Sequence, residues 1–143
     1  MKKHLIGLLL LATSLFCGCS TPLPAGFQEV PSPGWTVMEV RNDLAYDRAW
    51  KLVVGMLARD FDLEFQSRED GYLRTAWSYT WNGFYQSQYR VRVTVLFAED
   101  GKTLKIKSDA QALVDDEWVE GVDARLLPGL KEELIGTIGR TIR

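Results

Sequence analysis

The sequence predicts a two-layer α+β domain: an antiparallel sheet of about five strands with two helices on one face. Several segments alternate apolar and polar side chains with the period of two that is typical of a half-buried strand. Turn signals such as Asp100-Gly101 separate these segments, and two further segments repeat apolar residues at helical spacing. The order is strand, helix, four strands, helix (β-α-β-β-β-β-α), and we expect a single domain over residues 35–143.

The first strand and the first helix are predicted between residues 35 and 60. Residues 35–40 alternate like a strand, and the segment that follows has an apolar side and a charged side. Asp47, Lys51 and Arg59 fall on the charged side. The residues at helical spacing on the apolar side are Tyr46, Ala49, Trp50, Val53, Met56 and Leu57. This pattern predicts an amphipathic helix with one buried face.

Four strands and a second helix complete the predicted domain. The strands are predicted over residues 63–66, 72–81, 89–97 and 104–110. Within residues 72–81, the odd-numbered positions, Trp77 included, are expected to share one face of the sheet. A closing helix is predicted because apolar residues recur every four positions, at Leu126, Leu130, Leu134 and Ile138.

The N-terminus predicts an exported lipoprotein. A basic head precedes a short apolar segment, Leu5 to Phe16, which is shorter than the roughly 20 residues that span a bilayer. The pair Gly18-Cys19 resembles the bacterial lipobox, although Phe16 stands where that motif usually has Leu. The resemblance implies that residues 1–18 are a signal peptide and that Cys19 is acylated. Ser20, by resemblance to Gram-negative lipoproteins, implies a lipid-anchored, periplasm-facing protein of the outer membrane.

Residues 19–34 are predicted to be a lipidated, proline-rich tether. They hold four of the five prolines in the chain: Pro22, Pro24, Pro31 and Pro33. Such a segment favours a semi-rigid extended linker, of about 45 Å over fifteen residues. The alternative is that Phe27 and Val30 dock on the domain.

Cleavage before Cys19 would change the composition of the chain. It would leave 125 residues with 15 basic and 19 acidic side chains, a net charge of −4, which argues against a nucleic-acid partner. The only histidine, His4, and one of the two cysteines, Cys17, would be removed. The expected mature chain therefore has no Ser–His or Cys–His pair and no histidine-ligated metal, and we expect a non-enzymatic protein without a cofactor.

Part of the domain resembles the helix-grip domains of BamC, a lipoprotein of the outer-membrane β-barrel assembly machinery. The similarity covers roughly residues 35–79. It is carried by Ala45-Tyr46-Asp47-Arg48-Ala49-Trp50, by Leu57, by the predicted strand that starts at Leu63, and by Gly71. The resemblance implies a helix-grip fold and a role in envelope assembly.

Two groups of residues are candidates for a binding surface. The first is basic and lies on the polar side of three predicted strands: Arg74, Arg90, Arg92, Lys105 and Lys107. It would suit anionic groups or an acidic partner, or it is an ordinary solvated sheet face. The second is aromatic and surrounds the predicted turn Asn82-Gly83: Tyr79, Trp81, Phe84 and Tyr85. It would contact a protein, a glycan or the membrane interface, or it covers the end of the core.

An acidic segment runs from Asp115 to Asp123. Its spacing does not match an EF-hand calcium loop, and we expect a solvated loop with Asp123 near a helix N-terminus. Calcium binding, or hydrolysis by paired carboxylates, is the alternative for this segment.

The main functional hypothesis is therefore a non-catalytic outer-membrane lipoprotein. It would bind through its sheet face or its aromatic hairpin as an envelope-assembly accessory, with an envelope protein as partner. The alternatives are a module that binds a small ligand, a glycan or calcium, and a carboxylate-based hydrolase that uses residues 115–123.

Replacing the predicted lipid-bearing residue tests the first step of this hypothesis. Cys19→Ser is expected to abolish acylation and to release the protein from the membrane fraction, because serine has no thiol to acylate. Fractionation combined with radiolabelled fatty-acid incorporation measures both effects, and Cys17→Ser is the matched control. An acylated, membrane-bound Cys19→Ser protein would disprove the lipobox assignment.

Overall fold

The computed structural model describes residues 22–139, which form one mostly antiparallel sheet and two helices. The predicted signal peptide, Cys19 and Ser20 lie outside the described residues. The elements in chain order are β1 (Phe27–Glu29), β2 (Thr36–Glu39), α1 (Tyr46–Asp60), β3 (Leu63–Ser67), β4 (Tyr72–Thr75), β5 (Tyr89–Phe97), β6 (Thr103–Val114), β7 (Glu117–Asp123) and α2 (Leu126–Thr137).

The prediction of about five strands is wrong, because the sheet has seven. The chain remains α+β, but the sheet dominates the fold. The strand order is β1-β7-β6-β5-β4-β3, and β2 pairs separately with β6. The helix-grip order, with one strand before the first helix and four after it, is therefore overturned.

One of the two additional strands is β7, in the segment predicted to be an acidic loop. Asp115 and Asp116 both adopt a positive φ, 49° and 65°, and form the two-residue turn between β6 and β7. Positive φ at both central residues is typical of the type I′ turn, which matches the twist of paired strands. The acidic pair therefore makes a tight hairpin, and β6 continues to Val114.

The other additional strand is β1, within residues 19–34, the range predicted as a tether. Phe27–Glu29 pairs antiparallel with Gly121–Asp123 of β7. The Phe27 side chain is buried and meets the ring of Tyr89 edge-on, with the centroids 6.0 Å apart. A Cβ at Gly121 would collide with the Gln28 carbonyl and the Phe27 ring, so this close approach of β1 requires glycine.

β6 is the central strand of the sheet. Along one edge it pairs with β5, from Phe97↔Leu104 to Tyr89↔Ala112. Its other edge is shared, since β2 pairs with its first residues, Thr103–Ile106, and β7 pairs with its last, Ala110–Val114. β2 and β7 consequently lie end to end beside the same strand.

The predicted strand over residues 72–81 is interrupted after Thr75. The Thr75 hydroxyl accepts a hydrogen bond from the Val93 N–H at 3.0 Å and donates one to the Ala76 carbonyl at 3.0 Å. Pairing with β5 then resumes as a single bridge, Ser78↔Val91. Because of this one-residue shift, the residues after Thr75 point to the opposite side of the sheet from the one that continued alternation would give them. Leu73 and Thr75 point to the core, whereas Trp77 reaches the opposite face, contrary to the predicted alternation.

The two helices cover one face of the sheet. The odd-numbered residues of β5 and the even-numbered residues of β6 from Leu104 to Ala112 are buried on that face. They share one core with Trp50, Val53 and Leu57 of α1 and with Leu130 and Leu134 of α2. Arg59 of α1 pairs with Glu133 of α2, so the helices lie side by side. The other face of the sheet has no helix of the described residues on it.

Asp123 joins β7, β5 and α2 through a buried carboxylate. It accepts hydrogen bonds from the Tyr89 hydroxyl at 2.6 Å and from the backbone N–H of Arg125 at 2.8 Å and of Leu126 at 3.3 Å. Burial opposes its ionisation, but the hydrogen bonds from Arg125 and Tyr89 outweigh this effect and lower the pKa of Asp123. Burial, reinforced by the bond to Asp123, raises the pKa of Tyr89.

Asp123→Asn is expected to destabilise the fold at neutral pH by about 2 kcal/mol, because the amide is uncharged and weakens the hydrogen bonds with Tyr89, Arg125 and Leu126. An aspartate whose pKa is lowered on folding stabilises the protein above its unfolded pKa of about 3.9, and this stabilisation is lost as the pH falls further. The difference between wild type and variant should therefore shrink below about pH 4.

Urea unfolding at pH 7, 5 and 3 measures this difference. Glu132→Gln, at an exposed position on α2, is the control and should change the free energy of unfolding by less than about 0.5 kcal/mol. A difference between wild type and Asp123→Asn that stays the same from pH 7 to pH 3 would contradict the assigned role of the carboxylate.

A candidate binding surface on the open sheet face

The sheet face opposite the helices, called the open face below, carries most of the predicted basic residues together with three tryptophans. Arg90 and Arg92 come from the even-numbered positions of β5, and Lys105 and Lys107 from the odd-numbered positions of β6. Successive residues of a strand point to opposite faces, so these side chains project away from the core. The tryptophans that contact this group are Trp35, Trp77 and Trp118.

Arg90 is held between two indole rings. Its guanidinium carbon lies 4.7 Å from the ring centroid of Trp77 and 4.1 Å from that of Trp118. The same guanidinium donates to Gln111 Oε1 at 2.7 Å and to the Tyr79 hydroxyl at 3.0 Å. These contacts combine cation–π attraction with directed hydrogen bonds, which fixes the planar group in one orientation.

Arg92 and Lys107 share one carboxylate. Asp109 lies directly across from Arg92 in the β5–β6 pair, with its side chain only 6% exposed. It pairs with Arg92 at 3.4 Å and with Lys107 at 3.3 Å. Arg92 also lies 4.3 Å from the Trp77 centroid, so Trp118, Arg90, Trp77 and Arg92 form a continuous stacked row.

Arg74 and Lys105 stand apart from the stacked row. Arg74 donates to Glu64 of the neighbouring strand at 2.8 Å, whereas Lys105 is exposed. Of the five predicted basic residues, Arg74, Arg92 and Lys107 are thus paired with carboxylates. Two carboxylates, Asp109 and Glu64, are thus shared among three of the five cations, so the positive charge of this aromatic and guanidinium surface is partly compensated.

The predicted aromatic group divides into an inner and an outer part. Trp81 packs against the core, with the Arg125 guanidinium 5.3 Å from its ring centroid. Tyr79 is half-buried beside Arg90. Phe84 and Tyr85 are 75% and 72% exposed, and the Tyr85 ring lies 6.0 Å from that of Tyr79. Of these four aromatic side chains, only those of Phe84 and Tyr85 therefore project into solvent from the loop between β4 and β5.

Sequence reasoning missed the residues that organise the open face. The apolar alternation predicts the core side for Trp77, because the break after Thr75 leaves no trace in it. The acidic composition predicts a loop around Trp118, although the pair Asp115-Asp116 is a usable signal for a two-residue hairpin turn. Gln111 was missed because a lone amide carries no periodic pattern.

The carboxylates of the acidic segment, residues 115–123, do not lie together in one site. Asp115 and Asp116 occupy the exposed hairpin turn, while Asp123 is buried at the far end of β7. Across residues 22–139, no three His, Cys, Asp or Glu side chains come together as a metal site would need. Over the same range, neither helix has the length and apolar character required to cross a membrane.

No known protein family matches the chain, and no curated protein is significantly similar to it.

Arg90→Lys is expected to reduce the free energy of unfolding by about 1–2 kcal/mol, because an ammonium group cannot stack between two indoles while donating to Gln111 and Tyr79. Chemical denaturation followed by far-ultraviolet circular dichroism measures the change. The control is Arg74→Lys, at an exposed ion pair, with an expected loss below about 0.5 kcal/mol. Equal losses in the two variants would show that the stacking adds nothing to stability.

Proposed function

We propose that the protein is a non-catalytic lipoprotein, anchored in the outer membrane through Cys19, that binds an envelope protein through its open face. The observation that carries the proposal is the stacked row of Trp118, Arg90, Trp77 and Arg92, on a sheet face that neither helix of residues 22–139 covers. Tryptophan, arginine and tyrosine are the residue types that contribute most to binding energy at protein interfaces.

The charge arrangement favours a protein partner over a polyanion. Asp109 already forms ion pairs with Arg92 and Lys107, and Glu64 already pairs with Arg74. A phosphate or an anionic glycan would have to displace these carboxylates, at a cost in broken charge-assisted hydrogen bonds. A protein surface can instead pack on the indole rings and leave the ion pairs intact.

Exposed apolar side chains flank the stacked row and extend the surface that a partner would cover. Val37 projects from β2 beside Lys105, and it is 57% exposed. Phe65 projects from β3 beside Arg74, and it is 51% exposed. Apolar residues at both sides of a central aromatic and arginine cluster fit an interface that excludes water around its strongest contacts.

The fixed geometry of the stacked row also supports a protein partner on the open face. Arg90 is fixed by four partners, and the Gln111 that accepts from it donates in turn to Glu120. Long side chains lose rotamer freedom when they are buried in an interface, which weakens binding. Here that freedom is already restricted before a partner arrives, so less is lost on association.

Site-specific photocrosslinking in intact cells tests the proposal. A photoreactive amino acid at Val37 or at Phe65 is expected to trap the same envelope protein, because the two positions flank one surface. The control is the same amino acid at Ile135, which is 40% exposed on α2, on the helix side of the sheet. Adding Trp118→Ala should reduce the Val37 crosslink at least fivefold, the size expected for loss of an interface tryptophan.

The proposal fails if Val37 and Phe65 trap nothing beyond what Ile135 traps. It fails equally if the crosslinks survive Trp118→Ala while circular dichroism shows that the variant is folded.

A further inference from the structure

A cleft of about 400 Å³ opens where α1 ends, beside the open face. One wall is the end of α1 and the turn into β3, residues 58–62. The opposite wall is the loop between β4 and β5, which contributes residues 76–80 and Tyr85. Trp77 lines the cleft and also belongs to the stacked row, so the cleft is continuous with the proposed interface.

The loop side of the cleft presents aromatic faces. Tyr79 and Tyr85 have their ring centroids 6.0 Å apart and their planes 35° from each other. The Tyr79 hydroxyl is engaged by Arg90, which holds the ring in place, while Tyr85 is largely exposed. The π faces of tyrosine carry negative electrostatic potential and attract cations, whereas the Trp77 ring already holds Arg90 and Arg92.

The helix side of the cleft is negative. Ala58, Arg59 and Asp60 form the last turn of α1 and line the cleft. The C-terminus of a helix carries roughly half a negative charge through carbonyl groups that lack donors within the helix. Asp60 and Asp62 add two carboxylates at this end.

The one cation among the lining residues, Arg59, is neutralised. It pairs with Glu133 of α2 and lies 3.6 Å from the carboxylate of Asp60. Asp62 has no ion-pair partner within residues 22–139. The cleft therefore combines aromatic faces with uncompensated negative charge, which is complementary to a guanidinium or ammonium group.

We infer that this cleft receives a basic side chain, arginine or lysine, of the protein that docks on the open face. The inference rests on the proposed function, since it assigns the side chain to that partner. The charge would be held between Asp62 and the end of α1, with the tyrosine rings against its flat or alkyl surface. A partner that packs on the stacked row would thereby also be fixed in register along the sheet.

Titration of the full mature chain in detergent micelles, followed by NMR, tests the cleft directly. The probe is N-acetyl-arginine amide, and the matched neutral probe is N-acetyl-citrulline amide, which has nearly the same shape without the charge. Arginine is expected to shift the resonances of Trp77, Tyr79 and Tyr85, and the citrulline compound to bind at least tenfold more weakly. Comparable binding of the two probes would overturn the inference, because charge would then play no part.

Two adjacent exposed aromatic residues give a matched pair of variants. Tyr85 lines the cleft, whereas Phe84, equally exposed, is not among its lining residues. Tyr85→Ala and Asp62→Asn should each raise the Kd for arginine about three- to tenfold, the size of one cation–π or charge contact. Phe84→Ala should leave it unchanged. The spectrum of each variant reports its fold, so a folded Tyr85→Ala with unchanged affinity refutes the site.

The remaining outcomes separate this inference from the proposed function. Open-face crosslinks without arginine binding would overturn the cleft assignment alone. Arginine binding without any open-face crosslink would overturn the assignment of the basic side chain to a docked partner. If N-acetylglucosamine trimer shifted the cleft resonances and arginine did not, a sugar would replace the cation and the inference would be wrong.

Discussion

The hydrogen bonding of β6 along both of its edges organises the rest of the structure. One edge pairs with β5 over nine positions, and the other is divided between β2 and β7. This division sets Trp35, just before β2, at one end of the open face and Trp118, in β7, at the other. On the opposite face, β6 contributes Leu104 and Ile106 and then only small side chains to the core that the helices cover.

The interruption after Thr75 links the core to the open face. An uninterrupted strand would have sent Trp77 to the same side as Leu73 and Thr75, under the helices. The Thr75 hydroxyl accepts a hydrogen bond from the Val93 N–H at the break, so this buried backbone donor keeps a partner despite the shift. The shift then places the Trp77 indole against both Arg90 and Arg92, where it joins the stacked row to the cleft.

The sequence predicted best those elements that bury one regular face. The apolar side of α1 and the alternation of β5 are readable because burial alone dictates them. β7 was missed because Glu117, Glu120 and Gly121 interrupt its apolar pattern, and β1 because three residues are too few to show a period. The sheet face on which the five basic residues lie could be predicted from the alternation of odd and even positions. The ion pairs that three of them form with Asp109 and Glu64 could not, because they depend on the register between strands. The cleft depends on a loop meeting a helix end, which no local pattern encodes.

In the proposed lipoprotein, the position of β1 would also limit how far the domain can stand from the lipid bilayer. With Cys19 as the acylated residue, only residues 20–26 separate the lipid from the edge of the sheet. A linker of this length spans at most about 30 Å when fully extended. This distance is comparable to the diameter of the domain itself. The domain would stay within about one domain diameter of the membrane surface. Any partner on its open face would have to come equally close to the membrane. Recruitment would then depend on the local concentration of the partner at the membrane surface more than on its abundance in the bulk periplasm.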